Sequence, residues 1–294
     1  MPEAQANEGR PTRVVDAVCN LLTPDIVASR PSWSRTFHGE KIGTNRGALD
    51  GVSLEQHIEL MDEAGIDIAF LIAPRMGRRG LPTSWELDPK VVIDAVERYP
   101  DRFRALAGVN PYDGVRGIKE LDRLVTEYGF VGAHFYPHWF EMAPDHARWY
   151  PFYAKCGELD VPIQMQVGRC LRYAAENPLP SVGRPATLDT VACHFPDVRL
   201  VGIHIGWPWT EEMISVADKH PNVYIGSDAY APKHWPEAFV RFADSWGRGK
   251  VLFGTDWPVI PFDRAIREID ELGLRPAARA ALLGEAALDV YRVT

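Results

Sequence analysis

Eight short apolar, β-rich runs alternate along this chain with eight longer amphipathic stretches, and no other feature limits its fold so tightly. The runs occupy 13–19, 66–73, 103–109, 130–136, 161–167, 198–204, 222–226 and 250–254. Helical patterning fills 53–64, 89–99, 115–128, 145–159, 187–195, 210–219, 235–245 and 262–271, with a further helical region at 275–291. Continuous apolar runs are the mark of strands buried on both faces, as in a parallel sheet covered by helices. The alternation therefore predicts an α/β chain: a single (β/α)8 TIM barrel with an extra C-terminal helix over residues 13–294. A doubly wound sheet would use the same elements, but the polar and aromatic residues gathered at the strand ends favour the barrel. Residues 1–12 are polar and read as a disordered tail. The stretch 21–51 is long for a βα connection and reads as a functional loop.

Composition narrows the class of function. A net charge of -8 argues against nucleic acid or an anionic membrane as partner. No apolar run is long enough to span a bilayer. Four cysteines, Cys19, Cys156, Cys170 and Cys193, lie far apart with no Cys-x-x-Cys pair. That spacing excludes a zinc ribbon and fits reduced thiols in a cytoplasmic protein.

The strand tips carry the chemistry. Lys250-Val-Leu-Phe-Gly-Thr-Asp256-Trp-Pro258 delivers a carboxylate to the end of the eighth run, and Leu200-Val-Gly-Ile-His204 delivers an imidazole at the sixth. Either residue alone is as readily a hydrogen-bonded framework group. Two of them on separate tips make an active site the stronger reading, with Asp256 as base or water-positioning group and His204 as proton relay. Val131-Gly-Ala-His134-Phe-Tyr-Pro-His138 adds His134 inside the fourth run and His138 in the loop beyond it; each is equally a framework histidine. Arg75, Arg169 and Arg172 follow strands two and five, where a guanidinium could grip a carboxylate or a developing oxyanion. Arg78 and Arg79 read as solvated charge. Gln166 and Asn20 end strands five and one, and Trp207 stands among the tryptophans of the rim, which suit a flat organic ligand. Asp228, in Gly226-Ser-Asp228-Ala-Tyr230, reads as a turn residue rather than a polar contact.

At these residues the chain resembles the amidohydrolase superfamily, in the branch that includes aminocarboxymuconate-semialdehyde decarboxylase and gamma-resorcylate decarboxylase. The matching pieces are Val14-Val-Asp16, residues 129–134, His204-Ile-Gly-Trp-Pro-Trp209, Phe253-Gly-Thr-Asp-Trp-Pro258 and the terminal Leu282-Leu-Gly-Glu-Ala-Ala-Leu-Asp-Val-Tyr291. Together they cover almost the whole chain after the tail. Members of the superfamily usually open with Asp-x-His-x-His, whose histidines bind the metal. Here Val18 and Asn20 stand at those positions, and Gln166 stands where many members place a third histidine. Of the usual ligands only Asp256 remains, and one carboxylate is too few for zinc. The resemblance so read implies no metal and no other cofactor; a rearranged site of His134, His204 and Asp256 is the alternative.

The expected function is a metal-independent hydrolase or lyase. Its substrate would be a small anionic molecule: an aromatic or β-keto carboxylic acid, a lactone or a thioester. Asp256, His204 and His134 are the expected catalytic groups, with Arg169, Arg172, Arg75, His138, Gln166, Trp207 and Asn20 binding substrate. A decarboxylase or C–C bond lyase of the same fold is one alternative, and a catalytically inert ligand-binding relative is another. Members of this branch often dimerise, and the chain is compatible with a homodimer.

Overall fold

The computed structural model describes residues 13–44, 46–172, 174–175 and 177–294; the expected N-terminal tail lies outside the described residues. Eight parallel strands form the barrel: β1 (Val15–Cys19), β2 (Ile68–Ala73), β3 (Phe103–Gly108), β4 (Gly132–Phe135), β5 (Ile163–Gln166), β6 (Leu200–Ile203), β7 (Val223–Gly226) and β8 (Val251–Leu252). They pair in sequence order from β1 to β8. The circle closes where Ala17 N–H donates to Phe253 O (2.9 Å) and Asp256 N–H to Val18 O (2.8 Å). Around it run α1 (Leu54–Ala64), α2 (Pro89–Arg98), α3 (Gly114–Tyr128), α4 (Tyr150–Glu158), α5 (Ala186–His194), α6 (Thr210–Lys219), α7 (Glu237–Asp244) and α8 (Phe262–Glu271). The doubly wound alternative is excluded. Every residue of β1 and β2 is buried, because side chains pointing inward fill the barrel and those pointing outward meet the helices.

Local chemistry sets the helix boundaries. Ser53 Oγ accepts from Gln56 N–H while Gln56 Oε1 accepts from Ser53 N–H, a reciprocal cap that starts α1. Asp88 caps α2 through Lys90 N–H, with Pro89 in the first turn. Gly65 and Gly129 end α1 and α3 with φ of 72° and 69°, which glycine adopts without penalty. The C-terminal region is helical in three consecutive pieces, Pro276–Ala280, Ala281–Glu285 and Ala286–Tyr291. Its last residue reaches the barrel wall: the Tyr291 ring packs 4.8 Å from Phe70. A Cβ on Gly132 would lie 2.9 Å from that ring, so β4 needs glycine there.

The stretch after β1 is not an irregular loop. It folds into four short helical turns, Pro24–Ser29, Ser32–Thr36, Phe37–Ile42 and Arg46–Asp50, and carries Arg30, Trp33, Phe37 and His38 to the walls of a cavity at the barrel mouth. A turn after β4 (Pro137–Phe140) and a two-stranded ribbon after β2 (Arg75–Met76 with Trp85–Glu86) lie at the same end.

Candidate active site

Three side chains converge at the tips of β6, β7 and β8. His204 follows β6 with φ of 66°, and Asp256 lies beyond β8 with φ of 51°. Left-handed backbone costs a non-glycine residue about 1 kcal/mol or more and persists only where the surroundings impose it. The bracing is visible. Asp228 Oδ1 accepts from His204 N–H at 3.0 Å. On the other side, buried Asp16 accepts from Thr255 N–H (3.1 Å) and Thr255 Oγ1 (2.5 Å), and Thr255 Oγ1 accepts in turn from Trp257 N–H (3.0 Å). Asp256 is held inside that clamp.

His204 Nε2 lies 3.3 Å from Asp228 Oδ2 and 3.9 Å from Asp256 Oδ2. One donor atom from each of the three residues falls within 4.8 Å of the others. His204 Nε2 and Asp228 Oδ2 are buried without a hydrogen-bond partner. Burial pushes the Asp228 carboxyl up to about 7 and Asp256 to about 6. The same burial pulls the His204 imidazole down, partly opposed by the Asp256 charge. One buried and one half-buried carboxylate beside a neutral imidazole with an orphaned nitrogen form a cluster short of positive charge. One imidazole nitrogen and two carboxylate oxygens make the three-ligand set of an open catalytic metal site, and carboxylate-rich donors suit a hard divalent ion. The residues fit such a group.

Asp228 is therefore no mere turn residue: it is fully buried and joins the cluster. His134 is not in this cluster. Its Nδ1 pairs with Gln164 Oε1 at 2.8 Å and its Nε2 is buried and unpartnered. A second group, Asp189, Cys193 and His220, lies on the helical layer. There one Asp189 oxygen already accepts from Lys219 (2.6 Å) and His220 (2.7 Å), so a cation is in place.

Two adjoining lobes open above the cluster. The inner, about 70 Å³, is lined by Asn20, Arg30, Trp33, His134, Tyr136 and others. The outer, about 100 Å³, is lined by His138, Arg169, Arg172, His204, Tyr230 and others; both share Phe37, Trp139, Gln166 and Asp256. Asn20, standing where a ligand histidine was looked for, donates its amide to Asp256 Oδ1 (2.8 Å) and Trp257 O (2.9 Å) and so fixes the carboxylate. Gln166 reaches both lobes. His138 accepts from Val182 N–H at 3.2 Å and stays neutral, burial holding it at about 3. Arg172 lies against both the Trp33 and Trp139 rings, 4.8 and 5.0 Å from centroids that are themselves 4.8 Å apart, and donates to Asn177 O. Arg169 is exposed at the outer rim near the Tyr230 hydroxyl, where its charge partly opposes the rise that burial gives the phenol.

Two expected binding residues are not brought to the cavity lining. Arg75 is buried in a network with Asp113 (3.2 Å) and Glu120 (2.5 Å), because two carboxylates offer it better partners than an apolar pocket does. Trp207 packs its ring on Tyr230 at 5.8 Å and contributes its carbonyl to Arg169 N–H. In their place the structure supplies Arg30 and Tyr136. Arg30 Nε is buried without a partner, burial pulls the guanidinium down to about 10, and its Cζ lies 4.8 Å from the Trp85 ring centroid. The Tyr136 ring lies 4.4 Å from His134. Tyr136 was legible as the residue two beyond His134; Arg30 had no signal except its place in an overlong connection.

The sequence pattern of the amidohydrolase family matches residues 77–293. The chain belongs to the amidohydrolase family. Over 129 residues this amidohydrolase is 32% identical to a 2-keto-4-carboxy-3-hexenedioate hydratase of a Sphingobium species, and over 146 residues 27% identical to a gamma-resorcylate decarboxylase of a Polaromonas species. The matches cover 38% and 44% of this chain but only 38% and 41% of those relatives. In fold it is similar to an uncharacterised TIM-barrel protein from Bordetella bronchiseptica (TM-score 0.78, 23% identity, covering 95% of this chain and 98% of that one). It is also similar to a dihydroxybenzoic acid decarboxylase from Polaromonas sp., solved with bound manganese and 2-nitroresorcinol (TM-score 0.68, 17% identity, 95% and 97% covered). A 5-carboxyvanillate decarboxylase from Novosphingobium aromaticivorans, solved with manganese and a nitrobenzoic acid, gives a TM-score of 0.69 at 16% identity, with 98% and 99% covered.

These findings correct the expectation of no cofactor. Structures of similar fold hold manganese, and this amidohydrolase keeps a donor cluster able to hold a metal ion. Counting ligands only at strands one, five and eight missed it, since the donors here come from strands six, seven and eight. Among the described residues no helix is long and apolar enough to cross a membrane.

Proposed function

We propose that this amidohydrolase is a metal-assisted decarboxylase of a small anionic aromatic acid, with the cation held by His204, Asp228 and Asp256. The observation that carries the reading is the His–Asp–Asp cluster, with His204 Nε2 and Asp228 Oδ2 unpartnered, beneath an aromatic-walled cavity into which the half-buried Arg30 is set. The decarboxylases among its relatives and structural neighbours support the reaction class.

A divalent ion bound there would stabilise oxyanion charge on the substrate as a Lewis acid. The chain's own groups do the rest. Arg30 orients the acid through its carboxylate, a contact strengthened by exclusion of water. Trp33, Phe37, Trp139 and Tyr136 enclose the ring, and Arg172, packed against both tryptophans, ties the roof to the loop after β5. Asn20 occupies Asp256 Oδ1 and leaves Oδ2 toward His204. A cation beside it would hold the Asp256 carboxylate ionised, as a ligand. Gln166, His138 and Arg169 shape the outer lobe.

A hydratase of an unsaturated acid is the second reading, favoured by the 32% identity over 129 residues to such an enzyme. Carboxyl-¹³C 2,6-dihydroxybenzoate and related acids, incubated with manganese-loaded protein, separate the two. Release of labelled carbon dioxide, lost on chelation and lost in Asp256→Asn, is the expected result. Turnover indifferent to chelator, or water addition without carbon dioxide release, would refute decarboxylation.

A further inference from the structure

His134 is the one histidine of the inner lobe whose proton can be placed by counting hydrogen bonds. Its Nδ1 lies 2.8 Å from Gln164 Oε1. The amide end of Gln164 is fully committed on its other side, with Nε2 2.8 Å from Ala17 O and 2.7 Å from the Tyr291 hydroxyl. A backbone carbonyl only accepts, so Nε2 must face it; flipping the amide would set two oxygens against each other. With both amide hydrogens spent, Oε1 is left as an acceptor, and His134 Nδ1 must carry the hydrogen. Neutral imidazole then has its lone pair on Nε2. That atom is buried, has no partner in the protein, and belongs to a residue lining the inner lobe beside Arg30, Asn20 and Asp256. Protonation does not supply a way out: burial and the neighbouring His204 hold the imidazole down at about 3.

We infer that Gln164 locks His134 as a permanent hydrogen-bond acceptor in the pocket, and that this acceptor selects ligands carrying a hydroxyl proton near their carboxylate. Native proteins rarely leave a buried acceptor unpaired, because it forfeits water without compensation. A hydroxyl on the bound acid supplies the missing donor while Arg30 takes the carboxylate, giving two-point recognition. A site built this way rejects an analogue lacking the donor far more strongly than an apolar pocket rejects a missing methylene. His134 thus reads the substrate rather than carrying a proton, and Gln164 is its positioning residue. The carboxylate half of the ligand class rests on the function proposed above; the tautomer does not.

Two measurements test this on the full chain. Long-range ¹H–¹⁵N correlation of histidine-labelled protein identifies a non-titrating imidazole; a protonated Nδ1 and bare Nε2 are expected in the wild type, with a mixed or altered pattern in Gln164→Met. Calorimetric binding of salicylate and 2-methoxybenzoate should favour the hydroxylated probe at least tenfold in the wild type. The ratio should fall below about threefold in Gln164→Met, a comparison from which any contribution of bound metal cancels. A protonated Nε2, equal affinities in the wild type, a ratio unchanged by Gln164→Met, or failure of both probes to bind would each overturn the inference. A preserved ratio in a protein that releases no carbon dioxide would refute the reaction and support the recognition.

Discussion

Replacing Asp228 by Asn separates the metal-site account from a purely structural one, because it predicts opposite effects with and without manganese. Asn keeps the shape, and its Oδ1 can still accept from His204 N–H as Asp228 does at 3.0 Å. In metal-free protein the native carboxyl is lifted from 3.8 to about 7 by burial. At pH 8 it is ionised in a site that resists the charge, a penalty of order 4 kcal/mol at about 1.4 kcal/mol per pKa unit. The variant loses that penalty, so metal-free Asp228→Asn should be more stable than wild type at pH 8. Manganese should then stabilise wild type by about 2.7 kcal/mol at a hundredfold excess over Kd, a rise of roughly 5 °C in Tm for a chain of this size. In the variant the rise should stay within about 1 °C, since a ligand and a negative charge are gone. Paired thermal denaturation with chelator and with manganese reads both effects. A variant that keeps the full manganese shift would refute the argument.

The metal-free advantage of Asp228→Asn over wild type should grow with pH, because the raised Asp228 carboxyl, at about 7, is protonated in the fold where its unfolded counterpart is ionised. The difference in denaturant midpoint should widen from about pH 4 to 7 and level off above it, the buried histidines that titrate in the opposite sense being common to both proteins. Arg30→Met should raise KM for an anionic acid about 10- to 100-fold, the worth of a charge-assisted bond, with little change in Tm; an unchanged KM would place the carboxylate elsewhere. Asn20→Ala frees Asp256 Oδ1 and should cut kcat roughly tenfold, the cost of one lost orienting bond. Ser53→Ala breaks the cap of α1 and should cost about 1 kcal/mol of stability while leaving turnover per folded molecule unchanged.

Strands and helices were legible because burial on both faces of a parallel strand leaves an unmixed apolar run, and covering helices keep their own period. The structure adds local detail: β8 has only Val251 and Leu252 in its ladder, since the backbone beyond turns to left-handed φ at Asp256. Asp256 and His204 were visible as polar residues ending apolar runs. Asp228 ended the seventh run in the same way, yet Gly-Ser-Asp is also common turn chemistry, and only burial told the two apart. Loop arginines were the least legible. Arg75 and Arg30 both lie beyond strand ends, but the first finds Asp113 and Glu120 while the second finds a pocket; such partners come from distant segments and leave no periodic trace.

Crystals grown with manganese and measured at its absorption edge test the central claim most directly. The account predicts one anomalous peak per chain within coordination distance of His204 Nε2, Asp228 and Asp256, absent from Asp228→Asn crystals. An empty cluster under saturating manganese, or a peak held only by other residues such as Asp189, Cys193 and His220, would contradict it.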